Sequence, residues 1–382
     1  MKSQKWMSIN FFLFFFTWGV FLPYFTGWLT SVKGLTIAEA SIVMGSGMLA
    51  RAFSTFLLFP IATSKASLQI VMRISAIFSL IVMSLFSFGD SFTMLLAISV
   101  LFSIIYPNLL PAMESSASLL MQHEKLHYGK SRSFGSLGYT IALLTIGLFV
   151  NLFGDEAILW VMIAGLAFFT FMQLVQTPAV LKEIHRPDDA KGTSSFKELF
   201  TSTSFVTVLL LAILLQGAHA SYYNFGYIYL IDLQVSGIVI GIILNIAVVF
   251  EIFFFMFADR LLRKTSISSM FLLAAIGSTL RWIVIFFFPT IFAFVLSQLL
   301  HMVSFGLAHY AFIQFITKRL DRHLIATAQG LYAALAMSLS TAILTFAGGY
   351  LYDISPGYAF LGMTICTIPA IGIVLFTKKK WD

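Results

Sequence analysis

The sequence predicts an all-α membrane protein of twelve transmembrane helices, arranged as two six-helix halves. Three observations carry that prediction. The chain is 59% hydrophobic and only 10% charged, with a mean hydropathy of +0.94, whereas a soluble domain carries about a quarter charged residues. Its apolar stretches are long and continuous, where the strands of a membrane barrel would be short and alternating. The longest polar interval falls in the middle of the chain and leaves six such stretches on each side.

About 20 apolar residues cross a hydrocarbon layer of ~30 Å as a helix. On that measure the first span is 7–31: it follows a basic start, exceeds a signal-peptide core and has no small-residue cleavage site. Spans 38–62, 69–88, 93–119, 131–153 and 156–178 complete the first half, and 203–231, 236–258, 267–288, 291–317, 325–352 and 357–377 make the second. Several are too long for a straight crossing, so tilt or kinks are expected, with Pro23, Pro60, Pro107 and Pro111 as kink sites. The interval 179–202, AVLKEIHRPDDAKGTSSFKELFTS, reads as a cytoplasmic loop between a bundle at 1–178 and a bundle at 203–382. The strings SIVMG at 41–45 and GIVIG at 237–241 each open a span, which supports a duplicated six-plus-six transporter with its solute site near mid-membrane between the halves. The glycines of GSLGYTIALLTIG (135–147) and GIVIGIIL (237–244) are expected to let helices approach closely.

Cationic residues orient the spans. With the N-terminus inside, 18 of the 23 Lys and Arg fall in cytoplasmic segments, namely Lys2, Lys5, Lys65, Lys125, Lys130, Lys182, Arg186, Lys191, Lys197, Arg260, Arg263, Lys264, Lys318, Arg319, Arg322 and Lys378 to Lys380. The outer loops keep Lys33 alone, and both termini are cytoplasmic. The net charge of +7 is mostly this topological signal, so no nucleic-acid partner is expected. The single cysteine, Cys366, excludes an internal disulfide and a Cys-rich metal site. No metal or other cofactor is predicted.

Ionisable groups inside spans cost at least ~2.5 kcal/mol at a helix centre, so they face a cavity or a partner. Here they are Arg51, Glu114, Arg132, His219, Glu251, Arg281, His301 and His309; Arg73 lies near enough to a cytoplasmic end to snorkel. Each alone reads equally well as a structural pair between helices, and Glu114 with Arg132, flanking one short loop, as an interfacial pair. As a set they hold three Arg against two Glu, which points to an anionic solute or to pairing that changes during transport. The stretch LQGAHASYYNFGYIY (215–229) adds Gln216, His219 and Tyr223 at spacings of three and four, one face of a helix, expected to line the solute path from the periplasm. Tyr227 and Tyr229 are expected to be interface anchors.

Two rivals are weaker. HEKLH at 123–127 is an HExxH string, in which two His one turn apart bind zinc beside a general base. It sits in a short loop, with no third protein ligand evident. A channel would show pore-lining rings or filter loops, and none is visible.

The run from Glu114 through YGKSRSFGSLGY resembles the lactose permease branch of the major facilitator superfamily, in which a Glu and an Arg at this spacing bind the sugar. Arg281 and the His301 of LLHM match the spacing of an Arg and a His tied to proton coupling there; where that branch has a coupling Glu, this chain has Ser304. The strings FFTWGVFLPYFTGWL (15–29), GMLAR (47–51) and LLQGAHASYYNF (214–225), with Glu251 and the His301/His309 pair, are similar to the phenylpropionate permease group of the same superfamily. The resemblance covers essentially the whole chain. It implies the major facilitator fold with pseudo-twofold symmetry and a secondary active transporter, a proton symporter importing an aromatic carboxylic acid such as 3-phenylpropionate by alternating access through a bacterial inner membrane. A sugar or nucleoside is the alternative solute. Glu114, Arg132, Tyr139, Gln216, His219 and Tyr223 are the expected solute contacts, with Tyr139 two turns beyond Arg132 and placed to stack on a ring. Glu251, Arg281, His301 and His309 are the expected proton-coupling groups, Glu251 first, and Arg51 is a further intramembrane charge. The expected partners are the solute, the proton and the lipid bilayer, with the chain a monomer.

Overall fold

The computed structural model describes residues 3–175, 177–183 and 192–378. Of the cations that orient the chain, Lys2, Arg186, Lys191, Lys379 and Lys380 lie outside the described residues, as does the side chain of Arg322. Twelve helices among the described residues are long and apolar enough to cross a membrane. They are α1 (Ser3–Ser31), α2 (Ile37–Lys65), α3 (Leu68–Phe88), α4 (Phe92–Glu124), α5 (Tyr128–Phe153), α6 (Glu156–Leu174), α7 (Thr203–Asp232), α8 (Gly237–Leu261), α9 (Ile267–Phe287), α10 (Ile291–Arg319), α11 (His323–Ile354) and α12 (Pro356–Thr377). Each matches one expected span. The ends differ by a few residues because hydropathy marks the hydrocarbon layer, while a helix runs on until its backbone is capped. Thus α4 continues past residue 119 to Glu124, where Lys125 turns left-handed at φ 53° and stops it.

Polar residues outside the apolar runs start the helices. Thr36 forms a capping box with Glu39 ahead of α2, and Ser67, Ser91, Ser202, Ser266 and Thr290 each accept a backbone N–H at the start of α3, α4, α7, α9 and α10. Within the spans the irregular turns fall partly at proline. In α2 the segment Ser54–Leu58 is π-helical and Phe59 N–H bonds back to Ser54, just before Pro60, which has no N–H to give. In α4 the turn Tyr106–Asn108 around Pro107 is 3₁₀. The other π segments, Met302–Leu307 in α10 and Tyr332–Leu339 in α11, contain no proline.

The chain divides into two compact units: Met1–Pro187 with Ser236–Ile242, and Asp188–Val235 with Ile243–Asp382. The first turns of α8 thus group with the first unit. Glycine explains it locally: a Cβ at Gly237 would stand 2.7 Å from the carbonyl of Gly147, so bare backbone is needed on both helices of this approach. Gly138 does the same for α5 against α1, where a Cβ would overlap the Phe12 carbonyl. In the second unit a core of Phe205, Leu209, Phe271, Phe312, Phe315 and their neighbours joins α7, α9, α10, α11 and α12.

Candidate functional site

In the second unit, α7 is interrupted at Ala218–His219. Its first helical stretch, Thr203–Gly217, ends with Ala218 N–H bonded to Leu214 and Gln216, and the next, Ala220–Asp232, begins after His219. His219 sits at φ −90°, ψ 0°, the sparsely allowed bridge region where active-site residues recur. Facing it on α10 is the π segment Met302–Leu307, beginning directly after His301. Two locally irregular helices and the regular α9 therefore bring His219, His301, Ser304 and Arg281 together. All four are buried, Arg281 completely.

Hydrogen-bond partners set the tautomers of the two histidines in this cluster. His219 Nδ1 lies 2.9 Å from the Leu215 carbonyl, which can only accept, so Nδ1 carries the hydrogen and Nε2 accepts. Ser304 Oγ, 3.0 Å from that Nε2, therefore donates to it and accepts from Arg281 Nη1 at 3.3 Å. Arg281 Nη1 also donates to His301 Nδ1 at 2.9 Å. A guanidinium has no lone pair to accept with, so His301 Nδ1 is bare and its hydrogen is on Nε2. That Nε2 lies 3.2 Å from Glu251 Oε2 on α8, an ion-pair distance. Arg281 thus donates along two arms: to His301, which faces Glu251, and through Ser304 to His219.

Aromatic rings enclose the cation. Tyr222 and Trp282 lie over the Arg281 guanidinium with 4.4 and 4.6 Å between Cζ and ring centroid, contacts worth ~2 kcal/mol each when desolvated. Phe305 stacks on His301 at 5.2 Å and, on its other face, on His309 at 6.3 Å. His309 thus stands beyond a ring that carries no proton, and its Nδ1 pairs instead with the Tyr332 hydroxyl at 2.8 Å. Of the four expected coupling residues, Arg281, His301 and Glu251 are in direct contact, and His309 meets them through the Phe305 ring and the charge of Glu251.

The expected face Gln216–His219–Tyr223 spans the interruption in α7, so it is not one continuous helical stripe. The three still point to α10: Gln216 Nε2 donates to the Phe305 carbonyl at 3.5 Å, and the Tyr223 ring lies 6.0 Å from His219 and 6.4 Å from His301. Gln216 and His219 are buried in this conformation, while Tyr223 is half-buried. Tyr229, expected at the interface, is likewise buried, its hydroxyl 3.3 Å from the Ile285 carbonyl.

In the first unit the polar groups lie differently. Glu114 of α4 forms an ion pair with Arg132, Nε to Oε1 3.5 Å, and accepts from the Tyr128 hydroxyl at 2.8 Å; both ion-pair side chains keep about a third of their surface exposed. Arg132 also stacks on Phe15 at 4.1 Å and Phe11 at 5.7 Å. Tyr139 packs at Gly19 of α1, 3.2 Å from where a Cβ there would stand. Arg51 lies over Trp18 at 4.7 Å and, with Tyr106 and Ser103, lines a cavity of about 20 Å³, room for a single water. Neither Arg51 nor Arg281 is in an ion pair with a carboxylate among the described residues.

The HExxH string is not a zinc site here: α4 ends inside it at Glu124, and His127 is held by its backbone N–H to Gln4 Oε1. No group of three metal-ligating residues occurs among the described residues.

Sequence reasoning missed Tyr128, Tyr222, Trp282 and Gln298. Two carried a readable signal: Tyr128 stands four residues before Arg132, and Gln298 three before His301, one helical turn each. Tyr222 and Trp282 could not be told from the many aromatics of the chain.

Residues 5–362 match the MFS_1-like family, and the chain belongs to it. Over 371 residues it is 28% identical to the probable 3-phenylpropionic acid transporter of Escherichia coli (strain K12), covering 97% of both chains. It is 24% identical over 394 residues to the maltose permease of Geobacillus stearothermophilus, covering 97% of this chain and 93% of that one. The solved structure of the nucleoside transporter NupG superposes with a TM-score of 0.84 at 19% identity, covering 100% of both chains. The protein is a multi-pass membrane protein of the major facilitator fold, a secondary transporter of small solutes and not an enzyme.

Proposed function

We propose that this member of the MFS_1-like family is a proton symporter that imports a small aromatic carboxylic acid, such as 3-phenylpropionate, across a bacterial inner membrane by alternating access, with both termini in the cytoplasm. The observation that carries the reading is the Glu251–His301–Arg281 chain, with 3.2 and 2.9 Å links in the membrane-spanning part of the second unit. A carboxylate and an imidazole in contact can hold or pass one proton, and imidazole is the side chain whose charge changes most readily near neutral pH. The arginine at the far end makes that proton sensitive to what else the guanidinium binds, because an arginine drawn toward a solute no longer occupies His301 Nδ1. This replaces the route expected from the lactose permease branch: the coupling carboxylate stands at Glu251 on α8 rather than at Ser304, and Ser304 serves as the link to His219. The solute class is supported by the name of the Escherichia coli relative and by the excess of intramembrane Arg over Glu.

Proteoliposomes loaded at high internal pH test it. Labelled 3-phenylpropionate should accumulate when the outside is acidified, and Glu251→Gln should abolish accumulation while leaving solute-for-solute exchange. Accumulation that ignores the pH gradient, or that survives Glu251→Gln, would overturn the coupling. A sugar as solute is the second reading, favoured by the Glu114–Arg132 pair with Tyr128 and by the maltose permease relative. Gradient-driven uptake of maltose, with none of the acid, would replace the first reading by the second.

A further inference from the structure

Arg281 is only half bonded. Its Nη1 hydrogens are taken by His301 and Ser304, but Nε and Nη2, the other edge of the planar group, have no hydrogen-bond partner among the described residues and are shielded from solvent. Two further donors nearby are in the same condition: Gln298 Nε2 and Trp282 Nε1. All are attached to the same cluster, since the Tyr222 that covers the Arg281 guanidinium also donates its hydroxyl to Gln298 Oε1 at 2.9 Å, and the Trp282 ring lies against that guanidinium as well. A buried donor left unmade is expensive, the more so on a charged group. Every unpartnered atom of Arg281, Trp282 and Gln298 is a donor, so the missing partner is an acceptor. Gln216 Oε1 and Asn224 Oδ1, which are also unpartnered, belong to amides that bond elsewhere, to Phe305 and to Ala220 with Thr345.

We infer that the Nε/Nη2 edge of Arg281, together with the Gln298 amide, is the clamp for the carboxylate of the transported acid. The planar edge presents two parallel N–H groups at the spacing of two carboxylate oxygens, which lysine cannot reproduce. Gln298, one turn before His301 on α10, donates a third hydrogen bond, and Tyr222 and Tyr223 offer ring faces to an aromatic tail. This inference rests on the proposed symport of an aromatic acid and deepens it, because the clamp supplies the coupling step. Before solute binds, Arg281 and Glu251 balance in charge, with His301 neutral between them. A bound carboxylate adds one negative charge and pulls the guanidinium toward its free edge. His301 Nδ1 is then bare and open to one proton from water on the solute's side, which restores the balance. The groups facing His301 are Arg281 from α9, Glu251 from α8, and His219, Tyr222 and Tyr223 from α7, and of these only Glu251 is acidic. Uptake is therefore electroneutral, one proton with one carboxylate anion.

The test compares binding of 3-phenylpropionate and of its uncharged amide, 3-phenylpropionamide, to the purified full-length protein in detergent by titration calorimetry. The wild type should prefer the acid at least ten-fold and take up one proton per acid bound, read from buffers of different ionisation enthalpy. Arg281→Lys should lower acid affinity at least ten-fold and remove the preference for the acid over the amide. Gln298→Ala, which keeps the buried charge, should reduce the preference several-fold and carries the test if the lysine variant does not fold. In proteoliposomes, a membrane potential imposed with valinomycin and no pH gradient should not drive uptake. A wild type that binds and transports the acid, while Gln298→Ala and any folded Arg281→Lys keep the full preference for it, overturns the clamp and leaves the symport reading standing. A wild type that binds none of 3-phenylpropionate, cinnamate and benzoate overturns both.

Discussion

The two units use the same scaffold and put opposite kinds of polar chemistry on it. Ser67 and Ser266 cap α3 and α9, and Ser91 and Thr290 cap α4 and α10, each pair 199 residues apart. Arg51 in α2 and Glu251 in α8 stand at the same place, fourteen residues after Ile37 and Gly237. Yet the ion pair of the first unit keeps about a third of each side chain exposed, whereas Arg281 in the second is enclosed and stripped of water. A pair in partial contact with water contributes little and its loss is tolerated, ~1 kcal/mol or less. A charge held inside a span is retained only where something requires it. The asymmetry supports the proposal that coupling resides in the second unit, with a supporting role for the Glu114–Arg132 pair of the first.

The sharpest way to break this contrast is to remove one arginine from each unit. Arg281→Gln strips the cation from a chain that includes Glu251, and deleting one partner of a buried charge network costs about 3–5 kcal/mol. Labelled-acid uptake should fall by at least ~100-fold, given ~1.4 kcal/mol per factor of ten. Arg132→Gln should lower uptake by less than ~10-fold, in keeping with the small worth of an exposed pair. Equal losses in the two variants, measured at matched protein amounts, would erase the distinction and make the Glu114–Arg132 pair a second essential site.

Next in size is the split between coupling and movement. His301→Gln keeps an acceptor for Arg281 but holds no proton, so accumulation against a gradient should be lost while exchange of internal for external acid continues. His309→Gln, beyond the Phe305 ring, should retain more than half of the wild-type accumulation. An inactive His309 variant and an active His301 variant would reverse the order of the relay.

Much of this was legible before any coordinates. The spans and the pairing of Glu114 with Arg132 follow from hydropathy and from spacing, because those signals are local. The pairing of Arg281 with His301 was legible only through family resemblance, since their helices meet through tertiary packing. What was not legible has a common cause. Projecting Gln216, His219 and Tyr223 onto one face assumes a constant rotation per residue, and α7 breaks that at Ala218–His219 while α10 breaks it over Met302–Leu307. As a result Tyr222, not Tyr223, covers the guanidinium. Ser304, read as the loss of a coupling acid, is instead the junction of Arg281 and His219.

A more modest effect tests whether the α7 surface belongs to the solute path. His219 is enclosed and Tyr223 half-buried in this conformation, so a Cys at Tyr223 should react with an aqueous thiol reagent faster than one at His219. Saturating acid should slow the reaction at Tyr223 several-fold, in a Cys366→Ser background. A Tyr223 Cys that never reacts in either condition would remove α7 from the path and leave the clamp reached from elsewhere.

The smallest effect probes the sameness on which the comparison depends. Ser67 accepts from Ile70 N–H at 3.4 Å and Ser266 from Ser269 N–H at 3.2 Å, at corresponding helix starts. Losing an N-cap costs about 1 kcal/mol wherever it occurs. Ser67→Ala and Ser266→Ala should therefore lower the thermal midpoint of the purified protein by similar small amounts, and neither should change the acid-over-amide preference. The Ser266 hydroxyl also lies 3.0 Å from the hydroxyls of Ser268 and Ser269, so its substitution should be the slightly costlier one. If only the second-unit variant altered solute preference, the helix start of α9 would be coupled to Arg281 fifteen residues along it, and the scaffold would no longer be separable from the chemistry.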